Sequence, residues 1–93
     1  MLEIYFAREF NKDFKRISKT GVFKPSLKSV LYPVLDDLRQ QKPLAERLRD
    51  HPLRGQWHDC RECHVRPDLL LVYRCTTASI QLLRLGSHSE IFG

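Results

Sequence analysis

The sequence predicts one α+β domain, with helices laid against one face of a mostly antiparallel sheet. Three observations predict it. A short apolar and aromatic stretch, Leu2–Phe6, comes first and reads as a strand. Two stretches with apolar residues at helical spacing follow it. The second half then carries apolar runs broken by turn residues, which read as three further strands.

The elements follow in order. From Arg8 the period changes: Phe10, Phe14 and Ile17 fall at helical spacing, with Lys12, Asp13, Lys15 and Arg16 on the other face. Gly21 lies just past this run, where a helix stop is expected. The pattern assigns the aromatic stripe to the core rather than to a base-stacking platform. A second helix opens near Lys24-Pro25-Ser26, since proline suits a helix start. Leu27, Leu31, Val34, Leu35 and Leu38 form its apolar stripe. Pro33 interrupts that stripe. An interior proline costs about 3 kcal/mol, so a kink or two short helices are expected. Gln40–Pro43 ends the element, and Leu44–Asp50 is a connector with room for one helical turn.

Trp57–Val65 is mixed in polarity and reads as the first of the later strands, with Arg66-Pro67-Asp68 as a turn. Leu69–Tyr73 is almost wholly apolar, as in a central strand buried on both faces. Thr76–Ser79 makes a hairpin connection, and Ile80–Leu85 is the partner strand, ended by Gly86. Ser87–Phe92 is a tail with room for one turn.

At 93 residues the chain fits a single domain spanning 1–93. The net charge of +5 and the pI of about 9.4 favour an acidic partner such as nucleic acid or an acidic protein. No apolar run is long enough to span a membrane, and the N-terminus lacks a signal-peptide pattern. Three cysteines, an odd number, suit reduced thiols in a cytoplasm.

His51, His64 and His88 are spread through the second half, with His58 between the first two. Asp68 follows the Arg66-Pro67 turn, and Arg84 closes an apolar run. Imidazoles, a carboxylate and a guanidinium at strand ends and turns suit proton transfer on a phosphodiester. A guanidinium can hold a phosphate as it gains charge. A lone histidine is usually structural, and His58 keeps that reading. Cys60-Arg61-Glu62-Cys63-His64 has the spacing of a c-type haem attachment site, but covalent haem belongs to exported chains. A zinc site lacks its second ligand pair. On a strand, Cys60 and Cys63 would also point to opposite faces. No metal or cofactor is therefore expected. Trp57 reads as core or as a hydrophobic corner, and Phe92 as a candidate for stacking on a base.

The run His51-Pro52-Leu53-x-Gly55-x-Trp57, then Arg61-Glu62-x-His64-Val65-x-Pro67-Asp68, Leu71-Val72-Tyr73 and Arg84-x-Gly86-x-His88-x-x-x-Phe92 resembles the YafQ-type toxins. These belong to the RelE-like group of bacterial toxin–antitoxin systems. The likeness is dense from His51 onward; the first half agrees only in element order and length. It implies a small microbial-ribonuclease-like fold and a metal-independent endoribonuclease that cuts mRNA in the ribosomal A site. It also implies a cognate, acidic-tailed antitoxin. The family's catalytic positions fall here on His51, His64, Asp68 and His88, supported by Arg84 and Phe92. Arg84, Phe92 and Arg61 are the candidate RNA-binding residues. Cys60 and Cys63 depart from the family's needs.

RNA supplies its own nucleophile, the 2′-hydroxyl, so neither serine nor metal is required. His64 or Asp68 is the candidate base, His88 the candidate acid, and His51 serves either step or orients the others. Arg84 would hold the scissile phosphate. The competing reading is a basic RNA- or protein-binding module without chemistry; the ordered His–Asp–Arg set favours the enzyme.

Overall fold

The computed structural model describes residues Met1–Gly93. The chain runs β1 (Glu3–Phe6), α1 (Arg8–Ser18), α2 (Leu27–Arg39), β2 (His51–Pro52), β3 (Arg61–Arg66), β4 (Leu69–Cys75), β5 (Ser79–Gly86) and α3 (His88–Phe92). Short 3-10 turns at Glu46–Leu48 and Gly55–Trp57 flank β2. One five-stranded sheet has the order β1-β5-β4-β3-β2. It is antiparallel except where β1 runs parallel to β5. The α+β class and the order of the elements are as expected, with one further strand, β2.

The apolar run Leu69–Tyr73 is buried throughout and forms most of the central strand. Its alternate side chains build two cores. Leu69, Leu71 and Tyr73 join Cys63, Val65, Ile80, Leu82 and Leu85 beneath α1 and α2. Leu70 and Val72 join Cys60 and Ile91 on the other face, edged by Leu53, Trp57, Leu83 and Phe92. Cys60 and Cys63 therefore do lie on opposite faces. All five residues of the predicted α2 stripe are buried.

Three expectations need correction. Pro33 does not divide the second helix, which is one helix from Leu27 to Arg39. Pro33 and Ser29 are both exposed, so the Ser29 carbonyl that proline leaves without a donor is hydrated at little cost. Pro25 is not the helix start either; Ser26 is the N-cap, exchanging side-chain and backbone bonds with Ser29 at 3.2 Å each way. The strand predicted from Trp57 begins only at Arg61, because Gly55–Trp57 is a turn opened by Gly55 at φ +68.

Two bulges set which side chains reach which face. On β5, Tyr73 pairs with Leu82 but Val72 pairs with Arg84, so Leu83 is an extra residue. Ile80 and Leu82 face the helices before it, and Leu85 does so after it. Without the extra residue, Arg84 would point into the helix-covered core. A second irregularity falls between His64 and Arg66 on β3.

Candidate active site

The sheet register gathers the candidate residues other than Arg61 on the face away from α1 and α2. One row crosses four strands: His51 opposite Glu62, Glu62 opposite Val72, and Val72 opposite Arg84. The next row crosses three: His64 opposite Leu70, and Leu70 opposite Gly86. Glu62 and His64 are two apart on β3 and share this face. Leu70 and Val72 form an apolar floor between two banks of polar groups. His51, Glu62 and His64 form one bank. Arg84 and α3, which starts two residues after Gly86, form the other. Strands lie about 4.8 Å apart, so the banks are roughly 10–14 Å from each other across the floor.

His51 and His64 have ring centroids 6.4 Å apart. His51 Nε2 lies 2.9 Å from Glu62 Oε2, and its Nδ1 lies 2.6 Å from the Arg49 carbonyl oxygen. Glu62 is buried and His51 is about half exposed. On the other bank, Ser87 and Glu90 form a reciprocal cap on α3, with Ser87 N–H donating to Glu90 Oε1 at 2.8 Å. Arg16 holds Glu90 at 2.6 Å and ties α3 to α1. The bond from the Ser87 N–H, with help from Arg16, keeps the Glu90 carboxyl below its usual range. His88 is exposed and packs on Phe92 at 5.1 Å between ring centroids. Phe92 meets Trp57 edge to face at 5.8 Å. The pair makes an aromatic wall beside the floor. Phe92 thus joins a small core as well as bordering the site. Asp68 is exposed in the turn before β4, at the end of the sheet where His64, Leu70 and Gly86 line up.

Three of the predicted residues stand differently from the expectation. Arg84 and His64 lie within strands rather than at their ends. Arg84 is also not a free cation: its Nε and Nη2 donate to the Asp13 carboxylate at 2.8 and 3.3 Å. Asp13 was expected on the solvent face of α1 but is buried. Beyond Phe6, β5 has no β1 neighbour, and α1 covers that edge. Asp13 accepts the unpaired Leu85 N–H there at 2.9 Å, and Arg16 Nη2 at 3.3 Å. Burial pushes the Asp13 carboxyl up, but the bonds and charges of Arg84, Leu85 and Arg16 outweigh it and hold it below its usual range. The same pairing raises Arg84, which stays charged. Arg84 Nη1 has no hydrogen-bond partner within the protein and remains available. Arg61 is the clearer correction. It shares a face with Cys63, on the other side of β3 from Glu62 and His64, and its partly exposed side chain is bound to Asp50 at 3.3 Å beside Tyr73. It is not placed to meet RNA at this site.

Sequence reasoning assigned no role to Glu62 or Asp13. Nothing in the sequence pairs Glu62 with His51, which depends on strand register, or Asp13 with Arg84, 71 residues away. His58 bonds locally to the Gly55 carbonyl at 3.1 Å, as a structural residue would. The large groove of about 870 Å³ between β1 and α2 contains none of the candidate residues.

Residues 2–93 match the family model of the YafQ bacterial toxin of type II toxin–antitoxin systems. The mRNA interferase toxin YafQ of Escherichia coli (strain K12) is 31% identical over 91 residues, covering 98% of this chain and 96% of that protein. A metal-bound toxin from Helicobacter pylori has a crystal structure that superposes with a TM-score of 0.89 at 45% identity, over 99% of this chain and all of that one. The toxin in the E. coli DinJ–YafQ toxin–antitoxin complex superposes with a TM-score of 0.86 at 30% identity, over 99% of this chain and 98% of that one.

Proposed function

Because the chain belongs to the YafQ family of type II toxins, an mRNA interferase family of endoribonucleases, we infer that it cuts mRNA in the A site of the cytoplasmic ribosome. The observation that carries this reading is the pair of opposed polar banks across an apolar floor. In-line attack by a 2′-hydroxyl places nucleophile and leaving group on opposite sides of phosphorus. The base and the acid must therefore stand apart, with a cation between or beside them.

His64 or Asp68 takes the 2′-hydroxyl proton. His88, on the other bank, gives a proton to the leaving 5′-oxygen. Arg84 meets the phosphorane charge through Nη1, the nitrogen that Asp13 leaves free. The Trp57–Phe92 wall offers a face to a base. The products are a 2′,3′-cyclic phosphate and a 5′-hydroxyl. Each step falls to these side chains. The related E. coli toxin forms a complex with the antitoxin DinJ. A cognate antitoxin is the corresponding partner of this chain.

Cleavage of mRNA on programmed ribosomes tests the reading. His88→Ala should lower the single-turnover rate about 10²–10⁴-fold, the usual worth of a general acid. His88 is exposed, so folding should persist. A wild-type rate in this variant would remove His88 from the chemistry.

A further inference from the structure

Glu62 occupies the centre of the first row, directly opposite His51 across the β2–β3 ladder. Its side chain is buried, and Oε1 has no hydrogen-bond partner. Oε2 meets His51 Nε2 at 2.9 Å. His51 Nδ1 sits 2.6 Å from the Arg49 carbonyl. A carbonyl oxygen only accepts, so Nδ1 must carry a hydrogen. The contact between Nε2 and Oε2 needs a second proton on one atom or the other, because neither lone pair can meet the other bare. Imidazole is the stronger base of the two groups, and the half-exposed His51 ring can share its charge with water where buried Glu62 cannot.

We propose that Glu62 is a positioning residue that holds His51 in place with a proton on both ring nitrogens. This rests on the nuclease reading above. His51 then cannot be the base that accepts the 2′-hydroxyl proton. It presents a fixed positive edge to the bank that it shares with His64. His64, two residues from Glu62 on the same face, is left as the imidazole able to accept a proton. The assignment thus divides the two histidines of one bank by chemistry: one held by a carboxylate, the other free. Arg49, whose carbonyl meets His51, is a charged residue near the pair in the chain, and the Asp50–Arg61 ion pair lies on the opposite face of β3.

Nitrogen-15 NMR of the histidine side chains at neutral pH reads the proton count directly. His51 should show two protonated ring nitrogens in the wild type and one in Glu62→Gln. In the mRNA cleavage assay, Glu62→Gln should lower kcat about tenfold or more with little change in KM, and Glu62→Asp should restore part of the loss. A singly protonated His51 in the wild-type spectrum overturns the proposal, and so does a Glu62→Gln enzyme with wild-type kcat. If Glu62→Gln does not fold, the wild-type spectrum still decides. Wild-type protein that leaves ribosome-bound mRNA intact would refute the nuclease reading, while the spectrum would still report on the pair.

Discussion

Replacing Asp13 by Asn should destabilise the protein more than any other single-atom exchange on its helices. Asp13 is 5% exposed and takes four hydrogen bonds: two from Arg84, one from Arg16 and one from the Leu85 N–H. The amide keeps an oxygen for Leu85 but turns an N–H₂ group toward a guanidinium, donor against donor. Breaking a buried ion pair costs about 3–5 kcal/mol. The Arg84 side chain is 24% exposed, so water recovers part of that. A loss of about 2–3 kcal/mol remains, equal to a fall in Tm of about 10–20 °C for a domain of this size. Urea denaturation at neutral pH, with an unchanged m-value, measures it. The pH dependence gives an independent check. The Asp13 carboxyl is held below its ordinary value of 3.8. Its stabilisation is therefore fully present above that value and drains as pH falls through the lower folded-state value. The Asn variant should lack this component of acid sensitivity. A loss under about 0.5 kcal/mol, with the wild-type acid profile retained, would show that the pair adds nothing to stability.

Arg84→Lys keeps a charge but loses the fork that both binds Asp13 and leaves Nη1 outward, so single-turnover cleavage should fall clearly; equal rates would mean a point charge suffices. Burial pushes the Cys63 thiol up to about 12, and reaction requires thiolate. A thiol reagent should label exposed Cys75 first and reach Cys63 only on unfolding, as peptide mapping of labelled protein would show. Association with the cognate antitoxin should slow as salt rises, because a chain of net charge +5 steers an acidic partner over about 8 Å at physiological ionic strength. A flat stopped-flow series would leave shape and apolar burial to explain inhibition.

The strand Leu69–Tyr73 could be read from sequence because five apolar residues in a row need cover on both faces. The α2 stripe could be read because its spacing alone fixes the buried side. β2 could not. Two residues carry no period, and His51-Pro52 is a strand only because Glu62 and Arg61 lie opposite. The burial of Asp13 was equally hidden, since its partner stands 71 residues away. The bulge on β5 left a trace that sequence reading passed over. The doublet Leu82-Leu83 breaks alternation just before Arg84, and that break turns the arginine toward the site. Ser87-x-x-Glu90 was likewise a cap signal in plain view. The site histidines were found, but the pairing of His51 with Glu62 depended on strand register.

The parallel pairing of β1 with β5 has a consequence in time. Glu3 lies beside Ser79, and Phe6 beside Leu82. During synthesis the first strand must wait for nearly the whole sequence before its partner exists. Contacts of such long separation form late and slowly. α1, packed on β5 through Asp13, waits with it. So do Arg84, which needs Asp13, and α3, which is held through Arg16. The two banks of the candidate site are thus brought together only once nearly all of the domain has emerged.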